Sequence, residues 1–294
     1  MKAITQHRLA IAALLLTATA WGATFTLIKE VLTQIAPEPF IAWRFTIAGV
    51  VLCAVAFRGF RRELLLPGCV LGVLVFIGYW LQTYGLMVIS PSRSAFLTSL
   101  YVVMVPFADR IIHGTRMSWR PWAASFLALL GTAALIGGFA ARPTWGDMLT
   151  IFSAVIFALH VVYSARWSSK HSTTGLAAIQ VLFVGVAAMP FAAFAPRPVW
   201  TPSLAVVIVL TALVTTALAF AALMWGQSRV TATEAAVILS FEPVAASLAS
   251  IFWYREPLTT PFLIGAALIL AAMILSQLPS ATMRSDDPTH PRHE

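Results

Sequence analysis

A chain of 294 residues that is 60% hydrophobic and 10% charged, with a mean hydropathy of +0.86, carries less than half the charge of a soluble domain, typically about 25%. Most of it therefore belongs in lipid, and apolar windows of about 20 residues agree. The net charge of +8 and pI of about 10.2 do not make a nucleic-acid binder, because Lys and Arg lie in turns between apolar segments and form no basic domain to track a phosphate backbone.

Ten spans are predicted: 9–32, 39–57, 67–89, 93–112, 119–139, 146–166, 174–195, 203–226, 232–253 and 259–278. Only helices and closed barrels satisfy their own backbone in lipid, and these windows are too long and too uniformly apolar for barrel strands. The fold class expected is an all-α membrane protein. Ala18-Thr19-Ala20 in the first span loosely resembles a signal-peptidase site, but the span exceeds the about 7–15 apolar residues of a signal peptide and is predicted to be retained. Cys53 and Cys69 lie beside a turn placed in the cytoplasm, which predicts core thiols and no disulfide.

Residues 84–121 return, diverged, at 225–261. Tyr84-Gly85 matches Trp225-Gly226, Ser90 matches Thr231, Ala95 matches Ala236, Ser99 matches Ser240 and Ser118 matches Thr259, all at a shift of 225 − 84 = 141; with one residue dropped, Pro121 matches Pro261. Weaker echoes place Pro39 to Phe45 about 136 residues before Gly175 to Val181. The chain therefore reads as two copies, 9–139 and 146–278, with a polar tail at 279–294 that lacks an apolar period and is predicted to be disordered and cytoplasmic. A repeat of this length is far beyond a solenoid unit and is what internally duplicated transporters show. Five spans per copy is an odd number, so the second copy enters the membrane upside down. The prediction is ten transmembrane helices as two inverted five-helix repeats, with a site near the midplane between them.

Orientation follows from charge. With the amino terminus inside, the cytoplasmic ends carry thirteen cations (Lys2, Arg8, Arg58, Arg61, Arg62, Arg110, Arg116, Arg120, Arg166, Lys170, Arg229, Arg284, Arg292) and the outer ends five (Lys29, Arg93, Arg142, Arg197, Arg255). Both termini are expected in the cytoplasm of a bacterial-type inner membrane.

Ionisable groups inside spans are costly, which makes each a functional candidate. Glu242 lies near the middle of the ninth span, and Pro243 after it removes a backbone donor. A carboxylate at that depth is paired, protonated or wetted by a cavity; a fixed interhelical ion pair is the structural alternative to a role in transport. Arg44 lies about five residues into the second span and needs an acceptor, from Glu242, carbonyls or a substrate carboxylate. Lys29 is about one turn from the outer end of the first span, where snorkelling and pairing with Glu30 is favoured over substrate contact.

Uncharged polar groups form stripes: Ser94, Thr98 and Tyr101; Ser153, His160 and Ser164; Thr211 and Thr215. Such stripes line an interior or glue helices together. Aromatics with a polar edge add Tyr79, Tyr84, Tyr163 and Trp225, and with Gln82, Tyr101 and His160 they are the expected cavity wall for an amphipathic solute. His160 has no His or Cys partners at metal spacing, so no metal is expected. Gly131, Gly137 and Gly138 on the fifth span, with Gly265, Ala266, Ala267, Ala271 and Ala272 on the tenth, predict close packing and a scaffold role. No Walker A, G-x-S-x-G, H-E-x-x-H or dinucleotide fingerprint occurs, so uphill movement would draw on a gradient.

Trp21-Gly22 with Lys29-Glu30, Trp43-Arg44-Phe45, Tyr101 to Pro106, Ser240-Phe241-Glu242-Pro243-Val244, Arg255-Glu256 with Leu258-Thr259, and Gly265 to Leu270 together carry a likeness. In order, spacing and duplication the chain resembles the drug/metabolite transporter superfamily, specifically ten-span carriers with two EamA repeats, from about residue 9 to 278. One departure is Thr115, where the second copy has Glu256. The resemblance implies an inverted-repeat fold, a cavity lined by the third, fourth, sixth, eighth and ninth spans among others, and export of amino acids or similar metabolites. The partners expected are a small-molecule substrate and membrane lipid, with no cofactor and no nucleic acid, in a monomer or homodimer. A second reading is a membrane-embedded enzyme or lipid-handling protein with Glu242 and His160 as acid and base, which has no nucleophile beside them.

Overall fold

The computed structural model describes residues 2–114, 118–135, 144–254 and 259–277, and every regular element among them is helical. The first copy supplies α1 (Lys2–Val31), α2 (Pro37–Ala56), α3 (Leu65–Val88), α4 (Pro91–Ser99), α5 (Tyr101–His113) and α6 (Trp119–Leu135). The second supplies α7 (Trp145–Ser168), α8 (Thr173–Phe194), α9 (Pro202–Ala212), α10 (Ala219–Gln227), α11 (Ala232–Leu239), α12 (Glu242–Tyr254) and α13 (Thr260–Gln277). Among the described residues, eight helical segments are long and apolar enough to cross a membrane, and Thr260–Ser276 is a shorter apolar one. The remaining expected span, 119–139, corresponds to α6, of which 17 residues are described. Large apolar side chains point outward all round the bundle, Phe194 at 92% exposure among them, which suits lipid and not water. Thr115, Arg255, Glu256, Gly137, Gly138 and the tail at 279–294, on which several sequence readings rested, lie outside the described residues.

Local sequence sets the helix ends. Ser90, Thr144, Ser172, Thr201 and Thr231 each accept the backbone N–H three residues on, and Pro91 and Pro202 occupy first turns where a missing N–H costs nothing. Gly114 ends α5 at φ +66°, a left-handed position that favours glycine, with its N–H on the Arg110 carbonyl.

Three predicted spans are not continuous α-helices. The fourth breaks between α4 and α5 at Leu100, and the ninth between α11 and α12 at Ser240-Phe241. These are equivalent places, since 99 + 141 = 240. At each break the backbone tightens: Leu100 N–H bonds to Leu97, and Phe241 N–H to Ile238. Pro243 cannot donate to Leu239, so Glu242 stands as the first residue of a new helix and not, as expected, inside a loosened one. The eighth span holds a π-turn at Leu213–Leu218 between α9 and α10.

The copies pack by exchanging equivalent contacts. A Cβ on Gly49 of α2 would meet the Leu182 backbone at 2.6 Å, and one on Gly185 of α8 the Thr46 nitrogen at 2.5 Å. Both members of each pair match at the same shift, 185 − 49 = 136 and 182 − 46 = 136. Likewise Gly85 presses on Gly146 and Thr150, and Gly226 on Ala10 and Leu14. The small-residue faces of α6 and α13 meet, with Gly131 against Gly265 and Ile269. Because the obstructing atoms at Gly49 and Gly185 are backbone, Gly185→Ala and Gly49→Ala are each expected to destabilise the fold by about 1–3 kcal/mol. Thermal unfolding in detergent checks this; unchanged midpoints would show the α2–α8 contact to be slack.

Candidate functional site

Between the copies lies a buried cavity to which α1, α2, α3, α4, α5, α7, α10, α11 and α12 all contribute. Most of its wall is made of repeat-equivalent positions. Tyr79 and Phe220, Gln82 and Leu223, Thr98 and Leu239, and Tyr101 and Glu242 pair at a shift of 141; Trp21 and Phe157, Thr24 and His160, and Phe25 and Val161 pair at 136. About 60 Å³ of it is open to the centres of water molecules, room for a few waters at about 10–15 Å³ each.

Glu242 and Tyr101 face this space from the two helix breaks. Glu242 is buried, and among the described residues it makes no ion pair within 4 Å; it lies close enough to act electrostatically on Tyr79 and Tyr101. The helix dipole of α12 favours the carboxylate at that terminus by about 0.3–2 kcal/mol, which offsets only part of the cost of burying it. Tyr101 is 4% exposed, and its hydroxyl has no hydrogen-bond partner among the described residues.

Arg44 lines the same cavity but is held by the π-turn. Its Nε donates to Thr216 Oγ1 at 2.7 Å, and its Nη2 to Thr215 Oγ1 at 3.0 Å and the Thr215 carbonyl at 3.3 Å. The same carbonyl accepts Trp21 Nε1–H at 2.8 Å. Both Thr hydroxyls donate back to the Thr211 carbonyl, so the Thr-Thr pair shapes the wide turn and presents oxygens outward. The guanidinium also sits 5.5 Å from the Tyr79 ring centre, at cation–π range. Of the three acceptors foreseen for Arg44, the carbonyl is used, and two threonine hydroxyls that were not foreseen complete the set.

Lys29 lines no part of the cavity. Its three ammonium donors go to the carbonyls of Leu86, Met87 and Ile89, the last at 3.1 Å, so it caps the carboxyl end of α3 instead of snorkelling outward. His160 Nε2–H donates to Gln180 Oε1 at 2.8 Å, and the Gln180 amide nitrogen is left without a partner among the described residues. Gln82 donates to Thr98 at 3.0 Å. Most other stripe hydroxyls bond to carbonyls of their own helix, as Ser153 does to Thr150 and Thr211 to Val207, and act as internal satisfaction, not wall.

Tyr79, Gln82, Tyr101 and His160 come together with Arg44 and Glu242, whereas Tyr84, Tyr163 and Trp225 do not. Tyr84 and Trp225 stand five residues beyond Tyr79 and Phe220, about 140° round the helix and about 7.5 Å along it. Tyr84 donates to Glu38 and packs at a tilt against Trp80; Trp225 lies under the Arg229 guanidinium, 4.0 Å away. Tyr163 packs on Trp167 and His113 toward the same end as Trp225. Trp21, Phe157 and Phe220 were not anticipated as wall. Phenylalanine in an apolar segment carries no polar signal, although Phe220 matches Tyr79 at the repeat shift. Among the described residues no group of three His, Cys, Asp or Glu side chains could hold a metal ion.

An all-helical, internally duplicated membrane bundle with a cavity between its halves, apolar in most of its wall and bearing a few buried polar groups, is the architecture of a transporter. The EamA-like transporter family model matches residues 8–137 and again 144–278, so the chain belongs to that family and, with it, to the drug/metabolite transporter superfamily. It is 31% identical over 268 residues to an uncharacterized transporter of Archaeoglobus fulgidus, covering 90% of this chain and 84% of that one. It is 21% identical to the uncharacterized transporter YoaV of Bacillus subtilis, over 87% of this chain and 92% of that one. A solved crystal structure shares the fold at a TM-score of 0.78 and 22% identity, across 93% of this chain and 99% of the other.

Proposed function

We propose that the protein is a ten-span secondary carrier of the inner membrane, with both termini in the cytoplasm, that exports amino acids or similar small amphipathic metabolites by alternating access. The observation that carries this reading is Glu242, a buried carboxylate with no ion pair among the described residues, in the same cavity as the buried cation Arg44. A staple between helices would pair its charge; a site that takes up a solute ammonium group leaves it facing the cavity. The aromatic and apolar wall from Trp21, Tyr79, Phe157 and Phe220 suits the apolar part of such a solute.

Inversion is supported by reciprocal contacts, Gly49 on Leu182 with Gly185 on Thr46, and Gly85 on Gly146 with Gly226 on Ala10, the pattern of a pseudo-two-fold axis, combined with five spans in each copy. The tests are a radiolabelled amino-acid panel in proteoliposomes and a reporter fused to the carboxyl terminus. Efflux or uptake of chemically unchanged solute and a cytoplasmic reporter signal are expected; a chemically altered solute would favour the membrane-enzyme reading, and a periplasmic signal would overturn the topology.

A further inference from the structure

At the two ends of the interface the copies meet through contacts of ionisable side chains that the repeat relates, an Arg–Asp ion pair at one end and a His–Glu contact, ionic when the histidine is protonated, at the other. Ser90 caps α4 and Thr231 caps α11, and these residues match at the 141 shift; the third residue after each cap is Arg93 in one copy and Glu234 in the other (93 + 141 = 234). Arg93 reaches α7 of the second copy, where its Nε and Nη2 hold Asp147 at 2.5 and 3.1 Å. Glu234 reaches α1 of the first copy, where its Oε1 lies 3.2 Å from His7 Nε2. His7 stands one turn before the residue matching Asp147 (147 − 136 = 11). Each pair thus joins the broken span of one copy to the first helix of the other, at opposite ends of the central cavity.

The surroundings of the pairs differ. Asp147 is also fixed by its own helix start, accepting from Thr144 N–H and Oγ1–H, so the Arg93 latch is a two-point clamp on a preset carboxylate. The Glu234 latch borders a wide vestibule of about 490 Å³ that also holds Asp109, His113, Arg166 and Arg229.

We infer that Arg93–Asp147 and His7–Glu234 are the two latches of the transport cycle, each closing one end of the cavity, so that loss of either opens that end at the expense of the other. The inference rests on the alternating-access reading. It follows from mechanics: if the halves rock about a central site, a bond across the interface at one end favours every state closed at that end, and removing it shifts the population toward the state open there. With the amino terminus inside, Arg93 closes the outer mouth and Glu234 the inner one.

The experiment reads conformation and needs no substrate. Cys53 and Cys69 are replaced by Ser, Thr24 of the cavity wall by Cys, and labelling by a membrane-impermeant thiol reagent is measured in right-side-out and inside-out vesicles. Arg93→Gln, which leaves the Thr144–Asp147 cap intact, is expected to raise labelling from the outer side about fivefold or more and lower it from the inner side. Glu234→Gln is expected to do the reverse. Arg93→Lys, which keeps the charge, should lie between Arg93→Gln and the parent. Each arm stands alone, so a variant that fails to insert leaves the opposite arm decisive. Labelling of the parent from both sides with no opposed shift in either variant overturns the latches and leaves the carrier reading in place. Labelling of the parent from one side only, unchanged in every variant, overturns alternating access and the latches together.

Discussion

Glu242→Gln is expected to abolish flux in protein that still inserts, folds and purifies. Glutamine matches the carboxylate in size and can sit at the start of α12 with Pro243 behind it, so the fold keeps its break and loses only a charge. A charge-assisted contact to a solute cation contributes about 1.5–3 kcal/mol, so binding should weaken about tenfold to a hundredfold. Stability should hold or rise slightly, because a buried carboxylate without a counter-ion is a burden to the folded state. This separates the two roles open to the residue. If Glu242 joined helices structurally, its loss would lower the unfolding midpoint and leave flux per folded molecule near the parent. If the carboxylate also carries a coupling proton, flux in the parent will depend on pH and that dependence will vanish in the variant. A well-folded Glu242→Gln protein with parental flux and parental pH response would remove the residue from the mechanism.

The membrane class, the duplication and most helix positions were legible because they rest on coarse physics: apolar length, and a self-match strong enough to survive divergence. The helix interruptions were less legible. Glu242-Pro243 reads as a kink inside a span, since proline weakens a helix wherever it stands, yet it equally suits a first turn, and the tightened turn at Phe241 decides between them. The π-turn at Thr215-Thr216 carries no local signature beyond two adjacent threonines. Lys29 was misplaced for a related reason: a lysine near a span end has water within reach, and only the fold shows that three carbonyls at the carboxyl end of α3 lie nearer. The cavity wall was half visible, because choosing polar-edged aromatics found Tyr79 and Tyr101 but also Tyr84, Tyr163 and Trp225, whose polar edges serve the two ends.

Arg44 is the second residue whose loss should be severe, and by a different route from Glu242. It is 2% exposed, and its hydrogen bonds tie α2 of the first copy to the π-turn of the second. Arg44→Lys keeps the charge but replaces a planar fork with one flexible ammonium, which cannot reach Thr216 Oγ1 and the Thr215 oxygens in the same geometry. Arg44→Met keeps much of the stem and removes the charge altogether, and the threonines keep their bonds to the Thr211 carbonyl. Both changes should end flux if the guanidinium is the pole that receives a substrate carboxylate. Their stabilities should differ: Lys leaves a poorly partnered buried cation and should lower the unfolding free energy by about 3 kcal/mol or more, whereas Met leaves no stranded charge and should cost less. Thermal unfolding read beside flux distinguishes the cases. Arg44→Met with normal flux would make the residue a pure brace of the π-turn, and Arg44→Lys as stable as the parent would show that charge alone, without the fork, holds α2 against it.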